Sequence, residues 1–171
     1  PSTSSAARLY DEIDFQRACQ AYVWALPIMA MQEWQREHRE TFGAGSLDYV
    51  DYFTFTDKLG LLTANATTPY VMAFPDLHET GPLVMEVPAG PTAGGLTDFW
   101  QRPLSDSGQT GPDKGAGGRY LVLGPDHEDV EAEGYYVVRS PTRNASSSVK
   151  SSHPVAAASD FVANRRTSLT P

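Results

Sequence analysis

Three acids could do acid–base chemistry: Asp98, Asp106 and Asp113. Asp98 and Asp106 flank a short segment that holds Trp100. A carboxylate pair beside an aromatic ring is the equipment of glycoside hydrolysis. Acids next to a glycine-rich loop also make turn hydrogen bonds, and residue type alone leaves both readings open. Two local clusters are distinctive. Residues 62–70 (LTANATTPY) carry small polar groups into a strand candidate. Residues 98–103 (DFWQRP) are followed by 111–120 (GPDKGAGGRY). If loops at one end of a sheet bring them together, Asn65, Thr68, Tyr70, Trp100, Arg102 and Asp113 suit a sugar or another polar ligand. Aromatic faces stack on such a ligand and polar side chains orient it. The structural alternative is that Asn65 and Asp113 brace turns and Trp100 fills core.

Other chemistries fit less well. The glycine-rich stretch 105–118 has five glycines, yet Gly115 follows Lys114 where a Walker loop needs the reverse order, and Gly115-Ala116-Gly117-Gly118 lacks the third glycine of the dinucleotide fingerprint. The stretch also precedes a strand candidate, whereas both phosphate motifs open a helix. His38, His78, His127 and His153 each stand alone, without the spacing of a zinc site. Asp98, Asp106 and Asp113 match no calcium-loop spacing. No Gly-x-Ser-x-Gly elbow is present. Cys19, the single cysteine, falls on an apolar stripe and reads as a buried thiol. The sequence therefore calls for no metal and no cofactor, and leaves open whether the protein is an enzyme.

The elements that must position these residues follow from periodicity. Phe15, Ala18, Cys19, Tyr22, Leu26 and Met29 recur at spacings of three and four, which predicts an amphipathic helix. Asp11, Glu12 and Asp14 suit its first turns. Pro27 predicts a kink or a break, with a second helix from about residue 28 to 39. Gly43 and Gly45 end it. Strand candidates follow at 61–63, 70–74, 82–87, 97–101, 119–123 and 135–139, punctuated by Pro and Gly. Their spacing, without intervening helices, points to antiparallel β structure in an α+β domain.

Charge divides the chain. Its formal net charge is −8, from 21 acids and 13 bases. Residues 1–142 hold 20 of the acids and 9 of the bases; residues 143–171 hold one acid and four bases. The aromatics stop at the same place, with Phe161 the exception. Nine scattered bases argue against nucleic acid as a partner, and no apolar run reaches membrane-spanning length. No secretory signal is visible, although a leader removed by processing would leave the same Pro1 start. Asn65-Ala66-Thr67 and Asn144-Ala145-Ser146 match the short glycosylation sequon.

Several stretches resemble the bacterial family named domain of unknown function 1254. They are residues 10–18 (YDEIDFQRA), 21–27 (AYVWALP), 63–70, 98–120 and 133–142 (EGYYVVRSPT). Relatives often read Asn-Asn-Asp where this chain has Asn65-Ala66-Thr67, which removes an acid at Thr67. The resemblance implies a helical N-terminal start on a β-sandwich-like domain. It implies a second, C-terminal domain, usually the one numbered 1214, as a partner, and an envelope or periplasmic setting. It supplies no reaction. Three divisions are expected: a flexible 1–8, a family-like 9–144, and a non-homologous tail 145–171, disordered or read out of frame. On this reading the domain is incomplete at its C-terminus and its apolar surface favours self-association. Function is then the binding of a polar, glycan-like ligand, with amide or glycosidic hydrolysis by Asp98, Asp106 or Asp113 as one alternative and an inactive structural fragment as the other.

Overall fold

The structure is a computed structural model that describes residues 3–54, 56, 67–127 and 132–151. Helix α1 spans Thr3–Phe42, and strands β1 (Val50–Tyr52) and β2 (Tyr70–Ala73) follow. The one-turn helix α2 (Leu77–Thr80) precedes β3 (Leu83–Val87), β4 (Thr92–Asp98), β5 (Pro103–Gly108), β6 (Gly118–Leu123), β7 (Tyr136–Arg139) and β8 (Ala145–Ser151). The larger sheet has the order β1-β2-β8-β4-β5, and the smaller has β3-β6-β7. Every pairing is antiparallel except β6 with β7. The expected α+β class with sandwich-like antiparallel sheets is what forms.

Two apolar layers hold it together. Between the sheets, Leu96 and Ala145 of the larger pack with Leu83, Met85, Val87, Tyr120, Val122 and Val138 of the smaller. On the other side, Met31, Ile28 and Trp34 of α1 pack on Val50, Tyr52, Met72 and Phe74. The cross-strand partners Val50↔Met72 and Tyr52↔Tyr70 put these residues on one face of the sheet, while the alternate residue Val71 packs with Val149 on the opposite face. Tyr49 packs beside Val71 and Val149, and burial pushes its hydroxyl pKa up to about 12.

The helix differs from its expectation in three ways. It is a single helix that runs through Pro27, so no helix pair forms. Proline removes one helical hydrogen bond, and the turns on either side carry the helix across the loss. It starts at Thr3, so residues 3–8 are helical, and Asp11, Glu12 and Asp14 lie beyond its first turn. Its predicted stripe does not pack. Phe15, Cys19, Tyr22, Leu26 and Met29 are exposed, Tyr22 by 70%. At about 100° per residue, Met31, Trp34 and His38 lie on nearly the opposite face, and that face meets the sheet. Cys19 is therefore an exposed thiol. Gly43, at φ 66°, ends the helix as expected.

Four of the expected strands appear, as β2, β3, β6 and β7. The candidate at 61–63 lies outside the described residues. The candidate at 97–101 is displaced: β4 ends at Asp98 and residues 99–102 turn back into β5, which occupies the start of the expected loop. The largest correction concerns β8. Residues 145–151, assigned by composition to a tail outside the fold, form a central strand paired with β2 and β4. Its serines find partners there: Ser146 Oγ meets Thr97 Oγ1 at 2.8 Å, and Ser147 Oγ meets Met85 Sδ at 3.1 Å. Residues 152–171 lie outside the described residues. No helix among the described residues is long and apolar enough to cross a membrane.

Candidate functional site

The β4–β5 turn is organised by Asp98, whose side chain is fully buried. Its Oδ1 accepts from the backbone N–H of Trp100 and of Arg102, both at 2.9 Å, and its Oδ2 accepts from Arg102 Nε at 2.6 Å. The backbones of Asp98 and Arg102 also pair, N to O, at 3.0 Å. This network holds Gln101 at φ 62°, a left-handed conformation that is costly for a side chain with a Cβ. The turn is anchored below by Phe99, whose N–H donates to Thr142 Oγ1 at 3.0 Å.

The tip meets α1 at its proline. Gln101 Nε2 donates to the carbonyl of Pro27 at 3.0 Å. The Trp100 ring lies 4.6 Å from that of Trp24, tilted by 49°. Trp24 is 68% exposed, and the Arg102 side chain is 62% exposed. The corner thus presents two adjoining indoles, with the Arg102 guanidinium held by Asp98 in the same turn. Further along the helix, Gln35 is buried and donates to Asn144 Oδ1 at 2.9 Å, which locks α1 to the entry of β8.

A second polar corner lies at the other end of the same sheet. Asp113 is buried; its Oδ1 accepts from Gly108 N at 2.8 Å and from the Tyr120 hydroxyl. Burial, then the bond to the Asp113 carboxylate, raises the Tyr120 pKa. Gly117, at φ 80°, lets the loop pass close to β3: a Cβ there would come within 2.7 Å of Ala89 N.

The sequence-predicted residues therefore fall in two groups. Tyr70, Lys150, Ala93 and Gly108 form one row across four strands, with Lys150 Nζ 5.0 Å from the centre of the Tyr70 ring. Thr68 precedes Tyr70, and Asp113 is bonded to Gly108, so Thr68, Tyr70 and Asp113 belong to that end. From Ala93, β4 runs five residues to Asp98, about 17 Å along the strand, and Trp100 lies in the turn beyond that end. Trp100, Arg102 and Asp98 are brought together there and the others are not. Asn65 lies outside the described residues. The three acids do not share a cleft: Asp98 is buried in its turn, Asp106 is exposed opposite Gly95 in mid-strand, and Asp113 is buried at the far end.

Sequence reasoning left Trp24 out of the candidates, and it held Gln101 only as a member of the 98–103 cluster. Trp24 gave one signal, since it falls off the stripe running from Phe15 to Met29. The left-handed conformation of Gln101 gave none. Among the described residues no group of three or more His, Cys, Asp or Glu is placed to hold a metal ion. Burial lowers the His38 pKa to about 4, where its Nε2 bonds the Tyr52 hydroxyl at 2.5 Å inside the α1 packing layer.

A two-sheet α+β sandwich, covered on one side by a long helix and bearing an aromatic hairpin corner, is the class of domain these features define. The family model described as "Protein of unknown function (DUF1254)" matches residues 47–165, and the chain belongs to that family. The match continues past residue 144, in keeping with β8 being part of the fold. The chain is similar in structure to the VPA0106 protein from Vibrio parahaemolyticus, with a TM-score of 0.57 at 13% identity. That likeness covers 76% of this chain and 31% of the other, so this chain spans about a third of its neighbour's length. No curated protein matches the sequence.

Proposed function

We propose that this domain is a binding module that takes a polar, glycan-like ligand at the corner formed by Trp24, Trp100, Gln101 and Arg102. The observation that carries the reading is the Trp24–Trp100 pair, held at the tip of a turn whose backbone Asp98 forces into a strained conformation. Strain of that kind persists where the surroundings over-determine it and is concentrated at ligand sites. Indole faces take sugar rings, and a fixed guanidinium orients their hydroxyls. The hydrolase alternative has less support, because Asp98 engages both oxygens within its own turn and Asp106 and Asp113 lie elsewhere on the sheet.

The reading includes a further domain as partner, in the envelope or periplasmic setting that the family resemblance implies. The exposed apolar face of α1 supports a partner, since contiguous apolar surface marks interaction sites. The test is a titration of the full chain with neutral and acidic oligosaccharides, followed by tryptophan fluorescence. Saturable quenching by one class supports the reading. Absence of quenching across the panel refutes it.

A further inference from the structure

Among the described residues, three buried side-chain oxygens make no hydrogen bond: Thr92 Oγ1, Ser107 Oγ and Asp113 Oδ2. All three belong to one corner of the sandwich. Ser107 lies opposite Gly94, two residues along β4 from Thr92, so Thr92 and Ser107 project from the same face as diagonal neighbours. That face carries Leu96, which packs against the smaller sheet. Asp113 sits between the sheets as well, bonded on one side to Gly108 N of β5 and on the other to the Tyr120 hydroxyl of β6. Each of the three residues is more than nine-tenths buried.

Two glycines let the backbone close tightly round this corner. A Cβ on Gly108 would come within 2.3 Å of the Thr92 carbonyl oxygen and 2.8 Å of its Oγ1, and one on Gly111 within 2.5 Å of Ser107 Cα and 2.8 Å of Asp113 Oδ1, so the three residues adjoin one another. Gly108, at φ 72°, also needs its conformational freedom. The adjacent Lys114 side chain is exposed, and no cation among the described residues is shown paired with Asp113.

A buried acid oxygen without a partner is costly unless something satisfies it. A water molecule could serve the two hydroxyls but would bring no positive charge to the carboxylate, whose Oδ1 already accepts from Gly108 N and the Tyr120 hydroxyl. The donors are all oxygen, with no imidazole or thiolate, which excludes the preferences of zinc and copper and matches those of hard cations. We propose that this corner binds a calcium-class divalent cation, with Asp113 Oδ2 as the charged ligand and Thr92 Oγ1 and Ser107 Oγ as neutral ones. Calcium accepts irregular oxygen sets and completes them with carbonyls or water. Its role is to join the two sheets at the end that Asp113 bridges.

The probe is the full chain freed of metal by a chelator, titrated with calcium chloride and, separately, with terbium. Calcium is expected to raise Tm by about 5 °C near a hundredfold excess over its Kd. Terbium luminescence sensitised by Tyr120 should be saturable and displaced by calcium. Asp113→Asn keeps an acceptor for Gly108 and Tyr120 and should weaken terbium binding at least tenfold. The paired Thr92→Val and Ser107→Ala change keeps the charge and should weaken it several-fold, so the proposal is testable even if the Asp113 variant does not fold. No calcium effect on Tm together with no saturable terbium signal would overturn the proposal. So would terbium binding unchanged in a folded variant, or an equal Tm rise with sodium at matched ionic strength.

Discussion

The side-chain amide of Gln101 donates to the carbonyl of Pro27, 74 residues earlier, at 3.0 Å. This bond and the adjoining Trp24–Trp100 contact join the β4–β5 turn to the middle of α1. Two indoles this close couple electronically and give a paired band in the circular dichroism spectrum. Trp24→Phe or Trp100→Phe should abolish that band, and Gln101→Ala should weaken it. Because the Gln101 bond is exposed, its loss should cost no more than about 1 kcal/mol in urea unfolding.

Asp98 and Arg102 form an asymmetric pair. The Asp98 side chain is fully buried and the Arg102 side chain largely exposed. Removing Asp98 leaves two backbone donors and a guanidinium without their acceptor. Asp98→Ala should therefore destabilise by about 3 kcal/mol. Arg102→Ala, with solvent screening the ion pair, should cost about 1 kcal/mol or less. Equal losses in chemical denaturation would contradict the assigned geometry.

His38 makes stability depend on pH. Its folded-state pKa, lowered by burial to about 4, lies below its ordinary 6.5, so the unfolded chain takes up the proton first. The contribution is fully present above pH 6.5 and declines as pH falls towards 4, by about 3 kcal/mol in all. His38→Gln retains a partner for the Tyr52 hydroxyl without titrating. Its unfolding free energy should be flatter over that window than that of the parent, and a matching slope in both proteins would refute the assignment.

The two faces of α1 should respond differently to substitution. Met31 is buried against Val50, Tyr52 and Met72, so Met31→Ala should cost about 2–5 kcal/mol. Phe15→Ser and Tyr22→Ser should change stability by about 0.5 kcal/mol or less, since both side chains are exposed. The exposed Cys19 should react with a thiol reagent in the native protein as fast as in urea. A buried, slow Cys19 would restore the packing expected from periodicity.

Local pattern carried the strands whose apolar and turn residues agree, such as Leu83–Val87 and Gly118–Leu123. It also placed the helix and its glycine stop. It could not choose between two apolar stripes on one helix, because the choice depends on where the sheet lies. The β8 sequence ASSSVKS has few strand-forming residues. Its central place comes from two long-range ladders and from hydroxyl partners on other strands. Of the candidate site residues, Trp100, Arg102 and Asp113 were picked out by residue type alone. Register, which no local signal encodes, put Asp113 at the opposite end of the sheet from the other two.

The binding account is tested most directly by comparing three chains in the same oligosaccharide titration: the parent, Trp100→Ala and Asp113→Asn. Binding at the tryptophan corner predicts saturable quenching in the parent, affinity lowered tenfold or more in Trp100→Ala, and affinity unchanged in Asp113→Asn. Affinity retained in Trp100→Ala and lost in Asp113→Asn would place the ligand at the other end of the sheet and contradict the account.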